Sequence, residues 1–324
     1  MAKRKLNLKQ QRQIRQNQQQ LIDGSSNGDQ SFHTGIILAQ IGKTYVVDGG
    51  DGELITCKKR TTVDPTVCGD EVLWQRISAE EGVIVAVNPR RSLLSRIGFQ
   101  GKKKLVAANI DRLLIVSSVL PEVSFYLIDC YLVAAELLDI EVVLVVNKVD
   151  LLSDEQRVDY EAQFETYREL GYTVRYISAD QQLGMTELSD ELIGHRGVLL
   201  GQSGVGKTSI IAALIPDVEV QVQRLSERSA QGQHTTSVSC LYRLPGGGEL
   251  IDSPGVRQFQ LWRLELPKID ACFREFRDYL GQCRFNNCSH RREPDCAIMA
   301  AVDSGDIQQQ RYQHFLKIGD EFAL

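Results

Sequence analysis

Eight residues near the middle of the chain restrict its possible folds more than any other feature. Gly201-Gln202-Ser203-Gly204-Val205-Gly206-Lys207-Thr208 fits G-x-x-x-x-G-K-[ST] at every fixed position. It lies behind the apolar run Gly197–Leu200 and ahead of the helical stretch Ser209–Leu214. A strand feeding a glycine-rich turn that opens a helix is the setting in which such a loop wraps phosphate. The glycines let successive backbone N–H groups turn inward, and the helix N-terminus adds positive potential. Residues Gly201 to Ser209 are the expected phosphate contacts, with Lys207 on the β- and γ-phosphates and the Thr208 hydroxyl on Mg²⁺.

The neighbourhood extends that constraint. From about residue 105 to 262, strand patterns (Leu113–Ser117, Val142–Val146, Thr173–Ile177, Val198–Leu200) alternate with helix patterns (Ser124–Leu138, Asp154–Leu170). Such alternation predicts a parallel sheet flanked by helices. Asn147-Lys148-Val149-Asp150 follows the buried strand directly and matches N-K-x-D. A carboxylate at Asp150 can accept from both the ring N–H and the exocyclic amine of guanine, a donor pair that adenine lacks. The Lys148 stem can lie along the base plane while Asn147 braces the loops, and Ser178-Ala179 resembles the short loop that supports guanine from its other side. These residues predict a GTP or GDP site.

Two further segments complete the set. Asp252-Ser253-Pro254-Gly255 reads as D-x-P-G, the Mg²⁺-linked segment in which the Gly255 N–H meets the γ-phosphate. Gly232-Gln233-His234-Thr235-Thr236 reads as a first switch, in which either Thr235 or Thr236 completes the Mg²⁺ shell. The residue after D-x-x-G is Val256, which cannot hydrogen-bond a water, so slow intrinsic hydrolysis is expected. His234 is then the best candidate catalytic group within the chain, orienting or deprotonating the attacking water. The guanine-reading segments precede the phosphate loop, which precedes the switches. That is a circular permutation of the usual order, possible when the usual termini are joined and new ones opened in a surface loop. In consequence the second switch runs straight into the C-terminal region.

Upstream, residues 31–98 show five short strand patterns (Phe32–Ile41, Thr44–Asp48, Glu53–Lys58, Glu71–Ile77, Val83–Asn88) with Gly-rich breaks and no useful helical period. They predict a small barrel of the OB type, although the sequence does not separate this from an SH3-like barrel. The run from Pro89-Arg90-Arg91-Ser92 to Gly101-Lys102-Lys103-Lys104 reads as a basic linker. Net charge is −5, which taken alone argues against nucleic acid, but residues 1–20 carry six cations, seven glutamines and no acid. Residues 1–30 are therefore expected to be a disordered basic tail able to contact phosphates. No apolar run approaches the roughly 18 residues that span a membrane, and the N-terminus lacks an apolar signal core, so a cytoplasmic protein without a membrane partner is expected.

Eight cysteines in such a chain read first as metal ligands where they cluster. Cys283, Cys288, His290 and Cys296 form C-x₄-C-x-H-x₅-C, a set of three thiolates and one imidazole suited to one tetrahedral, structural Zn²⁺. Cys272 is expected to pack on a helical stretch at Asp270–Tyr279, and Cys57, Cys68, Cys130 and Cys240 read as core.

The permuted order, the GQHTT switch, the DSPG segment and the cysteine cluster together resemble the circularly permuted, small-subunit-dependent GTPases of the RsgA or YjeQ type. The resemblance covers about residues 31–320. It implies an OB barrel (31–98), a permuted α/β P-loop GTPase domain (105–262) and a mainly helical zinc-binding domain (263–324). It further implies a GTPase that binds the small (30S) ribosomal subunit and its rRNA late in maturation and is stimulated by that subunit; a monomer is expected, although the sequence does not give the oligomeric state. Thr208 stands where serine is frequent in the family, and both supply a hydroxyl. The competing expectation is a nucleotide-gated RNA-binding module in which hydrolysis is incidental.

Overall fold

The computed structural model describes residues 32–50, 52–97, 103–218, 221, 239–252 and 269–322. The basic tail, the first switch with His234, Thr235 and Thr236, and the segment from Ser253 through Gly255 to Val256 lie outside these residues.

Five strands, β1 (His33–Ile41), β2 (Thr44–Asp48), β3 (Leu54–Lys59), β4 (Glu71–Arg76) and β5 (Glu81–Val87), form the N-terminal barrel. Their inward residues, among them Ile37, Val47, Ile55, Val72, Trp74 and Ile84, make its core. Strand order β1-β2-β3-β5-β4 closes by β4 pairing back to β1, with β3 and β5 parallel. This connectivity is that of the OB barrel, which resolves the choice that the sequence left open.

The supposed basic linker is a correction. Residues β6 (Leu93–Ile97) and β7 (Lys103–Ala108) pair as an antiparallel hairpin. Leu94, Ala107 and Ala108 are fully buried and Val106 nearly so, so apolar residues interleaved with the cations anchor this stretch to the main core.

Beyond the hairpin come β8 (Arg112–Ser118), β9 (Glu141–Asn147), β10 (Thr173–Tyr176), β11 (Arg196–Leu200), β12 (Cys240–Arg243) and β13 (Glu249–Asp252). They are ordered β10-β9-β8-β11-β13-β12, with β12 alone antiparallel to its neighbour β13. Runs such as Val142–Val146 are buried throughout, as strands covered on both faces must be. Strand β1 of the barrel pairs with β12, through Ala39 and Cys240, so barrel and parallel sheet form one eleven-stranded sheet.

Helix α1 (Phe125–Leu138) begins at Ser124, whose Oγ accepts from Leu127 N–H at 3.3 Å. The single helix expected over Asp154–Leu170 is two, α2 (Asp154–Ala162) and α3 (Glu165–Glu169). Ser153 and Gln156 cap α2 reciprocally, and the break falls where Phe164 turns fully into the core. Short α4 (Met185–Asp190) and α5 (Lys207–Leu214) flank β11 in sequence. In the C-terminal region the helix expected at Asp270–Tyr279 is broken: Asp270 is helical, a turn follows, and a 3₁₀ turn spans Arg274–Tyr279, followed by α6 (Ala297–Ser304) and α7 (Gln309–Phe322).

Two carboxylates of α1 hold that C-terminal region. Fully buried Asp129 accepts from Tyr167 Oη at 2.9 Å, lies 2.6 Å from His314 Nδ1, and pairs with the Arg311 guanidinium. Arg311, itself buried, also makes a bidentate pair with Glu275 at 2.7 and 2.9 Å. Glu136 accepts from Arg274 at 2.7 Å, Arg277 at 2.6 Å and Tyr172 at 2.9 Å. A buried charge is tolerated only when matched and fully hydrogen-bonded, and Asp129 meets that condition. The C-terminal region is thus tied to α1.

Candidate functional site

The loops that follow β8, β9, β10 and β11 all leave one end of the sheet, the carboxyl end at which open α/β sheets receive ligands, and parallel β13 ends there too. The register sets β9 beside β8 and β8 beside β11, so residues far apart in sequence emerge together: Leu200 faces Ile115, and Ser118 faces Asn147.

Asn147, buried at the end of β9, is the brace. Its Nδ2 donates to Val205 O of the phosphate loop at 3.0 Å, and its Oδ1 accepts from Ala179 N–H at 3.2 Å. One side chain therefore links three of the sequence segments. Gly206 has φ +95° and a Cβ there would lie 2.2 Å from Asn147 Nδ2, so both the backbone and the contact require glycine. Lys148, with left-handed φ 65°, donates through Nζ to Gly204 O at 2.7 Å and Leu120 O at 2.5 Å. This clamps the phosphate loop to the loop after β8, a partner that the sequence did not reveal.

Lys207 is buried, and its Nζ donates to Gly201 O at 2.8 Å and Gln202 O at 2.5 Å, curling the loop around its own ammonium. Ser203, Gly204, Thr208 and Ser209 remain exposed, so the outer face of the loop and the Thr208 hydroxyl are open to a ligand. Val149 is buried and Asp150 half-buried in the 3₁₀ turn Val149–Leu151, with the Val149 N–H donating to Ile177 O at 3.2 Å. Ser178 is fully buried, its Oγ accepting from Gln181 N–H at 3.2 Å. Asp252 ends β13, one residue past the pairing of Ile251 with Val198, and so leaves the sheet at the phosphate-loop end.

The second cluster lies in the C-terminal region. One ligand atom from each of Cys283, Cys288, His290 and Cys296 lies within 4.8 Å of all the others. His290 Nδ1 is 3.5 Å from Cys283 Sγ and 3.4 Å from Cys296 Sγ, and those two sulfurs are 3.9 Å apart. A tetrahedron with metal–sulfur bonds of about 2.3 Å has edges of roughly 3.8 Å, so the residues fit a zinc ion. On its other side, His290 Nε2 lies 3.5 Å from Asp270 Oδ2, and Tyr312 Oη donates to His290 O at 2.7 Å. Asp270 raises His290 to about 9 against the opposing effect of burial, and burial pushes the Cys288 thiol up to about 12. A carboxylate behind a ligating imidazole fixes the ring and increases its basicity. Sequence reading missed Asp270, which stands 13 residues before Cys283 and outside any ligand spacing. Cys272, Cys57, Cys68, Cys130 and Cys240 are all buried.

The family model for the RsgA GTPase matches residues 87–262, over half of the chain. The small ribosomal subunit biogenesis GTPase RsgA of Dickeya dadantii is 41% identical, over 100% of this chain and 96% of its own length. The chain belongs to the RsgA GTPase family. The protein of the same name from Azotobacter vinelandii is 45% identical over 91% of this chain and 88% of its own length. Among solved structures, YjeQ from Thermotoga maritima superposes with a TM-score of 0.74 at 30% identity, covering 90% of this chain and 98% of that one. YloQ, described as a circularly permuted GTPase, gives 0.71 at 25% identity, with 91% and 96% covered. The family makes this protein a GTPase, and its GTP, GDP and Mg²⁺ chemistry accords with the loop geometry.

Proposed function

We propose that this GTPase acts on the small ribosomal subunit, binding it during late maturation and leaving it after hydrolysis. The observation that carries this reading is the full-length similarity to proteins named for small ribosomal subunit biogenesis. Within the site, Asp150 selects guanine, with Asn147, Lys148, Val149, Ser178 and Ala179 supporting the base. Residues Gly201 to Ser209 hold the phosphates, Thr208 and Asp252 serve Mg²⁺ with Thr235 or Thr236, and Gly255 meets the γ-phosphate. Lys207 is already at the phosphate loop, and phosphate oxygens would replace the carbonyls it now contacts. Cys283, Cys288, His290 and Cys296 would hold Zn²⁺, which would cross-link their segment and play a structural rather than a catalytic part. Because Val256 cannot position water, His234 carries that role when the subunit is bound. The protein works in the cytoplasm as a monomer, in contact with rRNA.

Turnover of GTP by the purified protein, with and without purified 30S subunits, tests this. Strong stimulation is expected, and His234→Ala should lower the stimulated rate by roughly 10²–10⁴-fold while leaving GTP affinity nearly intact. Equal turnover with and without subunits would remove the reading.

A further inference from the structure

At the metal cluster the structure holds an open pocket of about 380 Å³, which takes in space next to the ion's own position and lies within the ~300–1,000 Å³ range of small-ligand sites. One wall is Cys283, Cys288 and His290 with Asp270; the rest includes Leu280, Phe285, Asn286, Asn287, Ser289 and Phe315. The lining is mixed in a particular way. Phe315 is buried and supplies an apolar floor, whereas Phe285 is 42% exposed, unusual for a large aromatic ring. The Arg284 guanidinium lies 5.6 Å from the centre of that ring and is held there by Asp295 at 3.0 Å. Asn286 and Asn287 are exposed, and among the described residues neither side-chain amide has a hydrogen-bond partner. Exposed Arg292, two residues past His290, has no ion-pair partner among the described residues.

We propose that this cavity takes one unpaired nucleobase of RNA, stacked on Phe285 and read along its edge by Asn286 and Asn287. The inference rests on the reading that the protein docks on small-subunit RNA, and it names the kind of contact made there. An aromatic face flanked by a guanidinium is a stacking platform for any base. Each amide offers two donors and one acceptor, the complement of a base edge. The nearby cations suit the phosphates on either side of a splayed base. Cys283 and Cys288, fixed by the metal, would hold the two ends of the Arg284–Asn287 loop and so keep this platform from collapsing. Duplex RNA presents no such base, so the site favours single strands, bulges or loops.

The test measures binding of the full-length, zinc-loaded protein to fluorescent single-stranded and duplex RNA of the same sequence. Phe285→Ala should weaken single-strand binding on the order of tenfold and leave duplex binding unchanged, and Phe285→Tyr should restore it. One equivalent of zinc and an unchanged Tm in each variant show that the fold is intact. Equal single-strand affinity for wild type and Phe285→Ala overturns the proposal. So does a Phe285→Ala variant that keeps its RNA affinity but loses a cross-link to a ribosomal protein, because the surface then receives protein. Failure of subunits to stimulate turnover would strike the proposed function and leave this RNA measurement standing.

Discussion

The nucleotide site and the metal cluster are built by opposite means. Around the phosphate loop the protein supplies both sides of every contact: Asn147, Lys148 and Lys207 bond backbone carbonyls, and parallel strands on either side of β11 fix where the loop begins. That frame rests on bonds within the chain itself. Around Cys283 and Cys296, by contrast, four side chains converge on a point that fits an ion, in a stretch whose regular structure among the described residues is chiefly one short turn and two helices. The fold supports the first site; the second site supports the fold. Stripping each of its ligand should therefore have unequal results.

The largest effect is expected from the metal. Chelation, or Cys283→Ser, should release one zinc per chain and unfold most of 269–322, since structural zinc contributes about 10–16 kcal/mol to small zinc domains. Circular dichroism with metal analysis reads this, while removal of GTP should leave the spectrum nearly unchanged. A C-terminal region that keeps its structure without metal would erase the contrast. Next in size, Asp129→Ala leaves buried Arg311 with Glu275 alone and takes away the carboxylate that faces Tyr167 and His314, and should cost about 3 kcal/mol in urea unfolding. A loss under about 1 kcal/mol would mean that the C-terminal region is not held by α1. Asn147→Ala should be milder in stability, about 1–3 kcal/mol for a buried Ala179 N–H left without an acceptor. Its signature is a marked loss of GTP affinity in a protein that still binds zinc. The smallest change is Asp270→Asn. It should weaken zinc by roughly 10–100-fold in a competition titration and leave GTP affinity untouched. Unaltered zinc affinity would show that Asp270 does not orient His290.

How much could be read beforehand follows the same division. The phosphate loop, the N-K-x-D segment and the four metal ligands are local words, in which chemistry and spacing lie within a few residues. The barrel strands were legible because one face of each is apolar. The hairpin over 93–108 was not, because Arg96 and Lys103–Lys104 mask the buried positions Leu94, Val106 and Ala107. The break between α2 and α3 also escaped, since helical periodicity continues through Phe164 and only tertiary burial pulls that ring inward. Asp129 with Arg311, and Lys148 with Leu120, are pairings made by the fold across 182 and 28 positions. Nothing in a linear pattern marks them.

The pairing of β1 with β12 has a consequence for how the protein keeps its own company. Without the barrel, β12 would be the outermost strand of the parallel sheet and would present a row of unmatched backbone groups to any neighbouring chain. Lying alongside it, β1 covers that rim, helped by the ion pair between Arg243 and Asp48. At the far rim β10 is only four residues long and carries Arg175, a charge that discourages strand addition. The barrel thus shields its host from self-association, and a truncation that begins at β8 would bare β12 and favour aggregation over a clean, smaller enzyme.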